Sequence, residues 1–297
     1  MIPKHITTPI MITTHITTPM MITTPIMIPT PIMIPKIQFI YLLFQQNVHK
    51  LAFSCGVPIN LNGIVGLGRG PLSLVSQMKA NNFSHCLPSY DYPEEIGIVL
   101  VGSPIKNHPK IKITSSILTN NFFPSKYYIN VTGICVGNVN VTTDLDSFSI
   151  NKIDGTGGVV IDIGSTVTYL EPSIFEKVHH QVSNQINRST TSDDETKLPV
   201  CFATPKRNEA FTYPIITFYL GGPGGSSSNL TLSIGNTYRE YTTLARKKIT
   251  CLAMKVASPS EHKMLSLGNI MLQDTLVVYD LVKKTVAFLP DYKCDKM

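Results

Sequence analysis

The sequence predicts an all-β protein, mostly strands with a few short helices. Three observations point that way. Short runs of β-branched and aromatic residues recur along the chain. Gly-rich and Ser-rich turns punctuate them, at Gly155–Gly158 and Gly221–Ser228. Helical periodicity is clear in one segment only. Many short strands with so few helices imply orthogonally packed sheets or a barrel.

Residues 1–36 stand apart. They use only six residue types, among them ten Ile, nine Thr, seven Pro and six Met, and they hold no acid, Gly or aromatic. The unit Ile-Thr-Thr-Pro recurs at Ile6–Pro9, Ile16–Pro19 and Ile22–Pro25. Pro every few residues prevents the unbroken helix that a secretory signal or a membrane span needs. The segment is expected to be low-complexity and disordered. Residues 37–47 form an uncertain apolar link. Within it, Ile37–Phe44 reads as a buried strand, a short signal core, or sequence outside the folded unit.

The remainder of the 297 residues is long enough to bury a sizeable core. Apolar content of 43% excludes global disorder. A net charge of +6 without a basic cluster gives no reason to expect nucleic acid as a partner. Strands are expected at Ile96–Val101, Tyr127–Val136, Val159–Ile163, Thr166–Leu170, Ile215–Leu220, Leu230–Ile234 and Ile249–Val256. Leu276–Tyr279 and Thr285–Leu289 read as a hairpin. The best helix is Glu171–Ile186, with Pro172 near its start and Ile174, Phe175, Val178, Val182 and Ile186 on one face. Pro71–Ala80 is a shorter candidate, with Leu72, Val75 and Met78 on its stripe.

The six Cys include no C-x-x-C pair, so zinc and redox readings are weak and no metal or cofactor is expected. Five N-x-[ST] sequons, at Asn82, Asn130, Asn140, Asn187 and Asn229, are glycosylation candidates and favour a secretory context. Gly66-Leu67-Gly68-Arg69-Gly70 lacks the spacing of a dinucleotide loop, and no P-loop or serine-hydrolase elbow occurs. His179 and His180 read as solvent-facing helix residues rather than ligands. The segment Gly155–Leu170 carries the most chemistry. An apolar strand delivers Asp162 into a turn at Gly164, and a hydroxyl-rich strand with Ser165 and Thr166 leaves it. A part-buried carboxylate needs hydrogen bonds or neutralisation, which such a turn can supply. On residue types alone, an Asp in an ordinary tight turn is the better reading.

Residues 48–297 resemble the atypical plant pepsin-like aspartic proteases of the nepenthesin type. The likeness rests on Leu51-Ala52-Phe53-Ser54-Cys55-Gly56, Gly63–Gln77, Phe83-Ser84-His85-Cys86-Leu87, Tyr127–Ile134, the Asp162 strand-turn-strand and Val278-Tyr279-Asp280-Leu281, in the family's order. The resemblance implies the pepsin-like acid protease fold, with two lobes that each give one Asp from a D-[TS]-G-[ST] motif. It implies hydrolysis of a peptide bond by an Asp-activated water, with proteins or peptides as substrates. Asp162 then becomes the catalytic residue of the second lobe, supported by Gly164, Ser165 and Thr166. Gly63–Gly68 and Leu265–Gly268 resemble the apolar-apolar-Gly strands that run beside the catalytic loops. Cys201 and Cys251 match the second-lobe disulfide, whereas Cys135 and Cys294 match none. An extracellular or vacuolar location is implied too.

Two departures qualify the likeness. Ile163 stands where the family has Ser or Thr. No Asp precedes Cys55, so the first-lobe motif is missing. The expected organisation is a remnant of the N-terminal lobe at 48–112 and a C-terminal lobe at 113–297, truncated at the N-terminus. The chain by itself is then expected to be inactive. It is alternatively a non-catalytic binding or inhibitor protein of the same fold, or a truncated gene product.

Overall fold

The computed structural model describes residues 65–91, 97–102, 111–142, 145–193, 196–258 and 264–294, and also the backbone of three strands, Ile10–Ile12, Ile40–Phe44 and Leu51–Phe53. The rest of residues 1–36, much of 37–47, and Cys55 lie outside the described residues. Ile10–Ile12 departs from the disorder expected of the opening segment, because it pairs antiparallel with Leu51–Phe53. Ile40–Phe44 is a strand, parallel to Gly97–Val101.

One sheet of 11 strands organises the described residues. Its middle is a run of antiparallel pairs. Asn82–Cys86 pairs with Thr275–Asp280, which pairs with Thr285–Pro290, which pairs with Ile113–Leu118. Gly97–Val101 extends this on one side and Tyr127–Ile129 on the other. Segments far apart in sequence thus share one ladder, and residues 82–101 are held by the C-terminal hairpin. Phe83, Val277, Tyr279, Val286 and Phe288 are buried there, and the Phe83 and Tyr279 rings stack at 4.1 Å between centroids.

Two four-stranded sheets cover the rest of the core. One runs Ser227–Thr231, Ile216–Gly221, Val131–Val136, Val139–Asn140. The other runs Thr191–Asp193, Leu198–Ala203, Lys248–Leu252, Tyr238–Thr242.

Two long strands expected from sequence are each divided, and the hydrogen bonds show why. At Asn130 the backbone N–H turns to Ser116 O (3.2 Å) in the large sheet, while Gly221 N–H donates to its carbonyl (2.9 Å) from the next sheet. Tyr127–Ile129 and Val131–Val136 therefore belong to different layers. At Ala253 the N–H goes to Thr237 O (2.8 Å) and the carbonyl accepts from Thr168 N–H (3.2 Å), which separates Lys248–Leu252 from Met254–Val256. Both are corners where a strand changes sheets. The expected strand Leu230–Ile234 is shifted to Ser227–Thr231. Ile234 instead begins a four-residue helix capped by the Ser233 hydroxyl. The Gly221–Ser228 loop is correspondingly shorter, closed by Gly222 N–H to Ser226 O at 2.7 Å.

The helix spans Pro172–Ile186, with Glu171 as its cap. The Glu171 carboxylate accepts from Ser173 N–H (2.8 Å) and Ile174 N–H (3.3 Å). Ile174, Phe175, Val178, Val182 and Ile186 are its buried residues, the face expected from the 3.6-residue period. The Pro71–Ala80 candidate shrinks to Leu74–Gln77. Ser73 caps it, Lys79 ends it in a left-handed conformation, and Leu72 is 75% exposed rather than on a core stripe.

Disulfides join Cys201 to Cys251 and Cys86 to Cys294. The second pairing was not legible from sequence and ties the chain end to the large sheet. Cys135 is buried and, among the described residues, forms no disulfide.

Candidate active site

Asp162 sits at the tip of a paired loop. Val159–Ile161 brings the chain in and Thr168–Leu170 takes it out. Leu265–Leu267 lies between them, parallel to the first and antiparallel to the second. Asp162 N–H continues the parallel ladder by donating to Leu267 O at 3.0 Å.

The carboxylate is held from both sides. Gly164 N–H donates to Oδ1 at 3.0 Å, and the Ser165 hydroxyl donates to Oδ2 at 3.0 Å. Ser165 N–H closes the turn onto Asp162 O at 3.1 Å. A Cβ on Gly164 would stand 3.2 Å from Oδ1, so the missing side chain is what lets the amide come this close. The group is part-buried, fixed in direction and acceptor-only when ionised.

Gly268 explains how the loop and its neighbour fit. A Cβ there would meet Val167 O at 2.2 Å and Val167 C at 2.4 Å. Both are backbone atoms, so only Gly lets the two segments pass. The Thr168 hydroxyl accepts from Gly268 N–H at 3.1 Å. Asn269 adds a second tie. Its N–H donates to Ser165 O at 2.7 Å, and its side-chain amide donates to Ile163 O at 3.5 Å. Gln273 Nε2 holds Asn269 Oδ1 at 3.0 Å. Thr168 and Asn269 were missed by the sequence reading. Their roles depend on a neighbour about 100 residues away, and only the hydroxyl-rich character of 165–168 hinted at them.

Two features of the loop are unusual. The Ile163 side chain is partly buried and packs against the main core. The Thr166 hydroxyl is buried without a hydrogen-bond partner among the described residues.

The Gly63–Gly68 stretch is described only from Val65 onward. Gly68 lies against Ser125 O, which a Cβ would approach to 2.9 Å, and Arg69 N–H donates to the same carbonyl at 2.8 Å. The sequon residues divide by surroundings. Asn140, Asn187 and Asn229 are exposed. A Cβ on Gly221 would meet the Asn130 amide at 2.2 Å, so that side chain is packed in. Asn82 Oδ1 is buried without a partner among the described residues. His179 is half-buried with its ring 6.1 Å from Phe175, and His180 is exposed.

Comparison with known proteins agrees with this geometry. A family model described as "Xylanase inhibitor C-terminal" matches residues 126–290, and one described as "Xylanase inhibitor N-terminal" matches residues 41–103. Aspartic proteinase nepenthesin-2 of Nepenthes gracilis is 32% identical over 250 residues, covering 82% of this chain and 54% of the relative. The chain spans about half the length of the curated relatives it matches. Among solved structures, edgp superposes with a TM-score of 0.65 at 22% identity, over 82% of this chain and 65% of that one. Soybean basic 7S globulin superposes with a TM-score of 0.62 at 21% identity, over 82% and 64%. These two show the shared fold. With its matched family models, its identity to nepenthesin-2 and its Asp162 loop, the chain belongs to the nepenthesin-like branch of the plant pepsin-like aspartic protease family.

Proposed function

We propose that Asp162 is the second-lobe half of an aspartic peptidase dyad, and that the 297-residue chain does not hydrolyse peptides by itself. The observation that carries this reading is the carboxylate aimed by Gly164 N–H and Ser165 O–H at the tip of the threaded loop. Activating water between two carboxylates requires one ionised as base and one protonated as acid. Residues 1–54 contain neither Asp nor Glu. The orphaned Thr166 hydroxyl fits a loop that lacks its opposite number. Residues 48–112 are, in this reading, the closing part of the first lobe and 113–297 the second. Incubation with a denatured protein at acid pH should give no pepstatin-sensitive cleavage. Cleavage that pepstatin blocks and Asp162→Asn abolishes would overturn the proposal.

A second reading has its own support. Ile163 replaces a hydroxyl residue with bulk that packs against the core. The matched family models also carry the description of xylanase inhibitors. A non-catalytic inhibitor of a cell-wall glycan hydrolase needs the fold and not the dyad. Titration of a xylanase with the purified chain tests it, and unchanged xylanase activity at stoichiometric excess rejects it.

An extracellular or vacuolar setting is part of both readings. It is supported by the two disulfides and by exposed sequon residues Asn140, Asn187 and Asn229. No helix among the described residues is long and apolar enough to cross a membrane.

A further inference from the structure

A groove of about 240 Å³ opens between the helix Leu74–Gln77 and the turn that follows Asp280, and Asp162 is not among the residues that line it. Arg69, Ser76, Lys79, Tyr127, Leu281 and Lys284 line it, together with apolar side chains. Among the described residues no carboxylate lines it. Among the described residues, the ion pairs use Arg188, Arg239, Lys248 and Lys283, so Arg69, Lys79 and Lys284 have no acidic partner there.

The frame is set by the backbone. Lys79 N–H donates to Ser76 O at 3.0 Å, Leu281 N–H to Asn81 O at 2.9 Å, and Ile117 N–H to Lys284 O at 2.8 Å. Lys79 and Lys284 hold left-handed backbone conformations, with φ of 49° and 54°. Such conformations are uncommon for side chains other than Asn, Asp and Gly.

The polar groups are donors. The Ser76 hydroxyl accepts from the Ser73 hydroxyl at 3.0 Å, which leaves its own proton free to be given away. The Tyr127 hydroxyl is already committed to Leu67 O at 3.0 Å. Burial pushes that phenol up to about 12, against the opposing pull of Arg69, so it adds no negative charge at neutral pH. Three cations converging without a counter-charge repel one another. An anion that accepts from all of them reverses the sign of that interaction.

We propose that this groove binds a tetrahedral oxyanion, phosphate or sulfate, either free or as a monoester carried on a sugar. A tetrahedral oxyanion with three or four outward acceptor oxygens suits donors that arrive from three chain segments better than a planar carboxylate with two does. The apolar walls leave room for a sugar face beside the charge.

Isothermal titration calorimetry on the full chain at low ionic strength tests the assignment. The probes are inorganic phosphate, inorganic sulfate, glucose 6-phosphate and glucose 6-sulfate, with acetate as the monoanion control. The structure predicts saturable one-site binding of the tetrahedral ions and at least tenfold weaker binding of acetate. Tighter binding of the esters than of the free ions identifies a sugar-borne ligand, and equal or weaker binding identifies the free ion. The double variant Lys79→Asn with Lys284→Asn, which keeps residues tolerant of the left-handed conformation, should bind at least tenfold more weakly with an unchanged melting temperature. Lys177→Gln, on the exposed side of the long helix, should change nothing. Absence of saturable binding, binding of acetate as tightly as phosphate, or an equal loss in Lys177→Gln overturns the proposal.

Discussion

Gly268 carries a sharp expectation at the scale of single residues. A methyl group there must displace the Val167 carbonyl, whose oxygen would be 2.2 Å away and which belongs to the loop that holds Asp162. Overpacking a buried site costs about 1–3 kcal/mol, and the upper end applies where the obstacle is backbone. Gly268→Ala should therefore lower the urea midpoint strongly, and an unchanged midpoint contradicts the threading. His85 makes a second expectation. It is fully buried, its Nε2 lies 3.2 Å from the Tyr279 hydroxyl, and its Nδ1 has no partner among the described residues. Desolvation pushes it down from 6.5 to about 4. The unfolded chain thus takes up a proton near pH 6.5 that the folded chain refuses until about 4. Stability contributed by the neutral ring is present above that window and is lost as pH falls through it, by on the order of 3 kcal/mol in total. His85→Gln should flatten the fall in urea midpoint between pH 7 and pH 4, and an unaltered slope rules this cause out. Asp162, Gly164, Ser165 and Gly268 were legible in the sequence because their signals are local: an apolar strand, a Gly turn, a Gly after an apolar strand. Asn269 was not, because an Asn announces nothing until it is seen to reach the Ile163 carbonyl.

At the scale of elements, the long helix was read from its period and its cap, and the structure places the same five residues inward. Glu171 satisfies two amide donors that would otherwise be orphaned at the helix start. Glu171→Ala should cost about 1 kcal/mol, measured by chemical denaturation. The strands were found but their ends were not. The runs through Asn130 and Ala253 are continuous in composition, and composition has no marker for the point where hydrogen bonds pass to another sheet. Leu72 failed for a related reason. Its spacing suits a stripe, but Ser73 caps the helix after it and leaves it outside the turn.

For the whole molecule, the large sheet makes one body of segments that the sequence suggested were parts of two lobes. Asn82–Cys86 is bonded along its length to Thr275–Asp280, and the Cys86–Cys294 disulfide closes 208 residues across it. Constraining so long a loop stabilises by about 5 kcal/mol in the chain-entropy account. Cys294→Ser should lower stability by a large part of that, and a melting temperature within a degree of the parent contradicts the linkage. Such a pairing is illegible in sequence because six Cys admit fifteen arrangements. The central proposal is that Asp162 is the second-lobe carboxylate of a catalytic dyad. Its most direct test joins a first-lobe segment that carries a D-[TS]-G-[ST] motif ahead of residue 48. The rate of pepstatin-sensitive cleavage of a denatured protein is then measured with Asp162 intact and with Asp162→Asn. The account predicts cleavage by the first and a loss of at least a hundredfold, about 2.7 kcal/mol of barrier, in the second; equal cleavage by both contradicts it.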